Sequence, residues 1–281
     1  MESSLINTAV ILSTTRVFDR PGEPAQACPL TDVGGLSLFQ RAVLTLQRGG
    51  ISRFVVLAGE ETDALQQQLR GDARIKAGVR WLPVREFPPG DPRTWEALAA
   101  MFGGSYLVAG TSAVFPVSLV ARLREESGTG EPVVVVRGLA EHENLPNRVG
   151  AVREPPLQGT VGMAQSAAGV ITLEEAATLA LDVDLMVISP TFMSPEWAGA
   201  QDGRYPLQAA IERGIRQGQV RILPLGEDWY QDVCTEGPAT PAQAVWTLLT
   251  DGLEGFMARH FNHPCAKWVT RALLKIIQLL R

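Results

Sequence analysis

The chain has 281 residues, of which 46% are hydrophobic and 20% charged, and this composition is ordinary for a globular protein. A net charge of −5 argues against a general nucleic-acid binder. The first residues lack a basic segment and carry too short an apolar run for a signal peptide, and no apolar run reaches the roughly 18 residues that a transmembrane helix requires.

Strands and helices alternate through the first half of the chain. Strands are predicted at 8–12, 53–58, 79–83, 106–109 and 132–137, and helices at 36–48, 62–70, 92–102 and 116–126. The strand segments are apolar without interruption, which is typical of a mostly parallel sheet covered by helices on both faces. We therefore predict an α/β fold.

The pattern changes in residues 138–165, which are rich in glycine, proline and polar residues. Short strands are predicted nearby at 148–153 and 168–172, which indicates a smaller, partly antiparallel subdomain. The alternation then resumes with a helix at 207–217, a strand at 220–225 and a helix at 241–249. We expect one domain over residues 1–250 and a separate tail over residues 251–281.

The three cysteines, Cys28, Cys234 and Cys265, lie far apart in the sequence and match neither a disulfide framework nor a zinc-binding spacing. This usage favours a reducing, cytoplasmic location. We expect Cys28 to be a small packing residue, since no histidine lies near it in the sequence to activate a thiolate.

The first strand, the loop after it and the next helix together form a distinctive block. The strand TAVIL is followed by PLTDVGG, in which Pro29–Leu30 and Val33–Gly35 stand before the helix. This order resembles the start of the nucleotidyltransferases that join a nucleoside triphosphate to a phosphorylated sugar or polyol. Segments 95–102, 104–110 and 226–235 resemble later blocks of that family. The resemblance spans residues 8–250 and implies a Rossmann-like fold.

The resemblance also implies a site at the carboxyl ends of the strands. Small residues in the loop let backbone N–H groups approach phosphates, and a carboxylate pair holds Mg²⁺. In this sequence Arg16 would neutralise phosphate, and Asp232 would hold Mg²⁺. The nucleotide would contact Leu12, Ser13, Thr14, Thr15, Gly110 and Thr111. The alternatives are a solvated Arg16 and an Asp232 that only caps a turn.

Four positions depart from the family pattern. The loop at 13–16 lacks paired glycines, Cys28 replaces a lysine, Thr111 replaces the first metal carboxylate and Cys234 replaces an acid beside Asp232. Thr111 and Cys234 are poor ligands for Mg²⁺, which prefers anionic oxygens. Either catalysis has been lost and the fold retained, or another carboxylate substitutes. The candidates for that role are Asp19, Asp32 and Asp228.

The tail has a pattern of its own. After Glu254 it contains five basic residues and no acidic one. Asp251–Gly252, Arg259–His260 and Asn262–Pro264 resemble the junction of bifunctional proteins in which a cytidylyltransferase precedes a membrane-embedded CDP-alcohol phosphotransferase. Residues 267–280 form a basic amphipathic pattern that suits a membrane interface. We expect residues 253–281 to contact a membrane surface or a membrane enzyme. Packing on the domain and a homodimer contact are the alternatives.

The resemblance implies a cytidylyltransferase-type protein that, if active, transfers a nucleotidyl group from CTP to a polyol phosphate, such as inositol phosphate, or to a sugar phosphate, with release of pyrophosphate. The expected setting is phospholipid synthesis in the cytoplasm, peripheral to the inner face of the membrane. A catalytically degenerate scaffold or regulatory module is the first alternative. A guanylyltransferase of molybdenum-cofactor type is the second.

Overall fold

The computed structural model describes residues 6–17, 27–127, 131–136, 163–166, 169–172, 183–189, 192, 206–226 and 228–234. The strand predicted at 148–153, the helix predicted at 241–249 and the tail at 251–281 lie outside the described residues. The proposed boundary after residue 250 lies outside them too.

Eleven strands and five helices fall within the described ranges. The strands are β1 (Thr8–Leu12), β2 (Arg53–Ala58), β3 (Gly78–Pro83), β4 (Tyr106–Gly110), β5 (Ala113–Val114), β6 (Val133–Val136), β7 (Met163–Ser166), β8 (Gly169–Thr172), β9 (Leu185–Ile188), β10 (Arg221–Pro224) and β11 (Gln231–Asp232). The helices are α1 (Leu38–Arg48), α2 (Thr62–Arg70), α3 (Pro92–Phe102), α4 (Val117–Glu126) and α5 (Pro206–Arg216).

Seven strands form the main sheet, in the order β10-β6-β9-β4-β1-β2-β3. Strands β1, β2, β3 and β4 pair in parallel, as do β6 and β10, whereas β9 runs antiparallel between β4 and β6. Two small antiparallel pairs, β5–β11 and β7–β8, lie outside this sheet. The predicted α/β fold with a mostly parallel sheet is confirmed.

Side chains of the central strand point alternately to the two faces of the sheet, as a pleated strand requires. In β1, Ala9 and Ile11 belong to one buried cluster, with Phe39 of α1, while Val10 and Leu12 belong to another, with Trp95 of α3. Each face is therefore covered by helices, which makes three layers. No helix among the described residues is long and apolar enough to cross a membrane.

Local signals fix where the helices begin. Helix α1 starts at Leu38, two residues after its predicted start, because Ser37 is its N-cap and forms a capping box with Gln40. Helix α3 begins as predicted, with Asp91 accepting a hydrogen bond from the N–H of Arg93 and Pro92 in the first turn.

Candidate functional site

The carboxyl ends of β1 and β4 lie side by side and bring three of the predicted residues together. Leu12 is the register partner of Gly110. The next residue, Thr111, is fully buried and its hydroxyl donates to the Leu12 carbonyl at 3.2 Å. The Thr111 side chain is thus used inside the protein, at the position where the resemblance implies a metal carboxylate.

The loop after β1 is covered by a carboxylate that the sequence did not suggest. Glu61, just before α2, lies with its Oε1 atom 2.6 Å from the Ser13 hydroxyl and 3.2 Å from the donating N–H of Gly59. Thr14 packs so close to Gly59 that a Cβ there would be 2.9 Å from its methyl group. Ser13 and Thr14 therefore lie next to a negative charge, and Thr15, which follows them, is half-buried.

Arg16 and Asp232 form a buried ion pair. Nη1 and Nη2 of Arg16 donate to the two carboxylate oxygens of Asp232 at 2.5 and 3.0 Å, and each residue is 2% exposed. Burial alone lowers the pKa of Arg16, but the hydrogen bond and charge of Asp232, with the charge of Asp184, outweigh it and raise that pKa. The guanidinium remains charged and neutralises carboxylates of the protein itself.

Asp184, which the sequence analysis did not single out, completes the cluster. Its Oδ2 atom lies 3.9 Å from Nη1 of Arg16 and accepts a hydrogen bond from the Ser112 hydroxyl at 2.5 Å. Its backbone is fixed by Gly110, whose N–H donates to the Asp184 carbonyl at 2.9 Å. A Cβ on Gly110 would lie 3.0 Å from the carboxylate, so this close approach favours glycine.

The charges of these residues do not suit a polyanion. Among the described residues at this edge, three carboxylates, those of Glu61, Asp184 and Asp232, accompany the guanidinium of Arg16, and these four side chains together carry a net charge of −2. A triphosphate brought to this edge would meet repulsion in a medium of low dielectric constant.

The same geometry does not fit Mg²⁺. That ion requires oxygen ligands at about 2.0–2.1 Å in an octahedron. Nη1 of Arg16 stands 2.5 Å from Asp232 and 3.9 Å from Asp184, where a bridging cation would have to lie. Within the described ranges no group of three or more His, Cys, Asp or Glu residues is arranged to hold a metal. Metal binding by Asp232 stays a prediction, and it requires Arg16 to move away first.

Cys28 and Cys234 form a disulfide with their Cα atoms 6.2 Å apart. The expectation that no disulfide would form, and that Cys28 would only pack, is wrong. The two residues are 206 positions apart in the sequence, but the segment before α1 and the segment after β11 meet around Val33 and Trp229. The cysteine argument for a reducing compartment therefore no longer holds.

The substitute carboxylates proposed from the sequence lie elsewhere in the fold or outside the described residues. Asp32 accepts a hydrogen bond from the N–H of Gly35 in an exposed turn. Asp228 pairs with Arg122 at 2.5 Å and accepts from the Ser118 hydroxyl. Asp19 lies outside the described residues.

Solved structures of several nucleotidyltransferases share this architecture. The inositol-1-phosphate CTP transferase from T. maritima superposes with a TM-score of 0.55 at 12% identity, covering 87% of this chain and 97% of the other. A UDP-glucose pyrophosphorylase gives 0.57 at 11% identity over 89% and 100% of the two chains. A putative glucose-1-phosphate thymidylyltransferase from Bacillus anthracis gives 0.54 at 12% identity over 85% and 94%.

At these identities the similarity defines the fold. No protein-family model matches the sequence, and no curated protein matches it. The chain thus has the Rossmann-like α/β fold found in nucleotidyltransferases that act with nucleotides and sugar or polyol phosphates, as the resemblance implied.

Proposed function

We propose that this protein is a non-catalytic module with the nucleotidyltransferase fold, in which the site for nucleotidyl transfer has become a structural cluster. The observation that carries the proposal is the buried, two-point ion pair between Arg16 and Asp232. These are the two residues that the resemblance assigns to phosphate and to metal. Each is already held by the other, so neither is available to a ligand.

Three further features support this proposal. The Thr111 hydroxyl donates to a backbone carbonyl, Glu61 places a negative charge against the loop after β1, and the disulfide joins Cys28 to Cys234 beside the cluster. Breaking a buried ion pair to admit a ligand costs about 3–5 kcal/mol, which would weaken nucleotide affinity by more than two orders of magnitude.

Calorimetry with CTP and with GTP, each with and without Mg²⁺, tests this proposal directly. We expect no Mg²⁺-dependent heat of binding for either nucleotide at concentrations up to about 1 mM, because the site is negative and internally paired. Mixing CTP, Mg²⁺ and inositol 1-phosphate should release no pyrophosphate. The T. maritima inositol-1-phosphate CTP transferase serves as the positive control under identical conditions. Saturable Mg²⁺-dependent binding together with pyrophosphate release would overturn the proposal.

One observation favours an active nucleotidyltransferase as the second candidate. The carboxylates of Asp184 and Asp232 lie within 4 Å of the same nitrogen of Arg16, so both are directed at the position that this nitrogen occupies. If Arg16 turned towards a bound phosphate, this pair would be available to a divalent cation. Pyrophosphate release that is lost in Asp184→Asn but kept in Asp228→Asn would select this candidate. CTP and GTP, assayed in parallel, would distinguish the cytidylyltransferase from the guanylyltransferase.

We further propose that residues 253–281 hold this module against an anionic membrane surface, as in a scaffold for a membrane enzyme of phospholipid synthesis. The support is the charge pattern of the segment, which has Lys267, Arg271 and Lys275 on one side of a helical apolar stripe. Each basic residue near an anionic leaflet contributes about 1 kcal/mol, so three of them produce measurable binding.

Flotation with vesicles containing phosphatidylserine tests this anchoring. The full chain should float with the vesicles, and reversal of Lys267, Arg271 and Lys275 to glutamate should abolish flotation. The matched control reverses Arg53, Arg70 and Arg93, three exposed arginines of the described domain, with an identical change in net charge. An equal loss of flotation in both variants would disprove the anchoring proposal. Absence of flotation with a dimeric elution volume would point to the homodimer contact instead.

A further inference from the structure

A second site candidate lies beside α1, and its lining does not include Arg16, Asp184 or Asp232. It is a cavity of about 200 Å³ between α1, β5 and the segment that precedes β3. Arg41, Arg48 and Arg74 contribute its basic lining, and buried Val114 and Phe115 contribute an apolar wall. Arg41 and Arg48 are seven residues apart on one helix, so two turns place them on the same face.

Arg41 is held in place without a carboxylate. Its Nε donates to the Val33 carbonyl at 2.5 Å and its Nη2 to the Gly34 carbonyl at 3.0 Å. Within the described part of the chain, neither Arg41 nor Arg48 has an acidic side chain within salt-bridge distance. The guanidinium of Arg41 is therefore oriented by neutral groups and forms no salt bridge within the described residues.

The neighbouring charges leave the cavity basic. Arg74 pairs with Asp72 at 2.6 Å, and the Asp32 carboxylate, which accepts from Gly35, attracts Arg41 from the turn. Burial is the largest influence on the pKa of Arg41 and lowers it. The charge of Asp32 raises this pKa, whereas the charge of Arg74 lowers it. Three guanidinium groups thus share the cavity with two nearby carboxylates, and an added anion would relieve their repulsion.

We propose that this cavity binds a small oxyanion that carries an apolar group, with a phosphate monoester or a carboxylate as the anionic end. Arginine presents a planar fork of donors that matches both kinds of anion. Val114 and Phe115 would cover the apolar end. The volume is below the usual range for drug-sized ligands, about 300–1,000 Å³, which restricts the ligand to one small group beside the anion. This site is independent of whether the Arg16 cluster is catalytic.

Isothermal titration of the full chain with phenyl phosphate, benzoate, inorganic phosphate and phenol tests the site. Phenyl phosphate or benzoate should bind saturably, and at least about tenfold more tightly than inorganic phosphate or phenol. Only these two probes can contact both the arginines and the apolar wall of the cavity. Phenyl phosphate binding tighter than benzoate identifies a phosphate end, and the reverse identifies a carboxylate end.

Arg48→Gln is the main variant, since Arg48 is exposed and has no hydrogen bond or ion pair within the described ranges, so the fold should not depend on it. It should weaken the preferred probe by about tenfold. Arg41→Lys keeps the charge but loses the fork and should weaken binding too. Arg70→Gln, an equal loss of charge on α2 outside the cavity, should leave affinity within about twofold. Equal effects of Arg48→Gln and Arg70→Gln, or no saturable binding up to about 10 mM, would disprove the site.

Discussion

Asp232→Asn is expected to lower the free energy of unfolding by about 3–5 kcal/mol, because it removes the charge that compensates a buried guanidinium. Asparagine preserves the shape of the side chain, so the loss reports charge rather than a cavity. Asp184, whose Oδ2 atom is 3.9 Å from Arg16, supplies part of the compensation and places the effect towards the lower end of that range. Urea denaturation with an unchanged m-value measures the difference.

The matched control is Asp228→Asn. Asp228 also pairs with an arginine at 2.5 Å, but its partner Arg122 has a side chain that is 34% exposed, whereas the Arg16 side chain is 1% exposed. Solvent screening reduces the expected cost at Asp228 to about 1 kcal/mol. Equal costs for the two variants would show that Arg16 is not buried against Asp232. The proposal that this site is structural rather than catalytic would then lose its main support.

Local sequence was sufficient for most of the main sheet. The segments TAVIL and RFVVLA are five and six residues of mostly β-branched or apolar type, and β1 and β2 have the predicted bounds. Asp91 followed by Pro92 predicted the start of α3 because a capping carboxylate and a preset φ angle act within one turn. The other predicted strands that the structure describes differ from the prediction by one residue at one or both ends, which is the usual uncertainty of a strand boundary.

The composition of the site was less predictable, because its members meet through long-range pairing. Asp184 immediately precedes β9, a run of four buried apolar residues, Leu185–Ile188, in a region for which no strand was predicted. Since β9 is antiparallel to β4, with Leu185 opposite Ala109, its amino end lies at the carboxyl end of β4. An acid directly before an apolar run was the available signal, but the direction of the strand could not be derived from it.

The site also shows how departures from a family pattern can compensate one another. Cys28 stands where the resemblance implies a lysine and Cys234 where it implies an acid, and the two cysteines are bonded to each other. Arg16 faces Asp232 and Asp184 at the same edge. Taken alone, each of these two cysteines would weaken a catalytic site. Together they form a closed set of internal contacts, which is why we favour a structural role for this edge of the sheet.

Reduction of the Cys28–Cys234 bond is expected to cost about 4 kcal/mol of folding free energy. The bond spans 206 residues, and a cross-link over so long a loop removes a large entropy from the unfolded chain. Urea denaturation with and without a phosphine reductant measures the cost, and Cys28→Ser should reproduce it. Cys265→Ser, the same change at the third cysteine, should have less than about a quarter of the effect.

Thiol titration of the unreduced protein under denaturing conditions checks the bond chemically. One of the three cysteines should react before reduction and all three after it, since the other two are bonded. Reduction should also loosen the Arg16 cluster, because the N–H of Cys234 donates to Asp232 at 2.9 Å. The Asp232→Asn penalty should therefore be smaller in the reduced protein than in the oxidised one, an interaction that a double cycle over the two changes measures. Additive effects would show that the disulfide and the ion pair are not energetically coupled. Three reactive thiols before reduction would refute the bond itself.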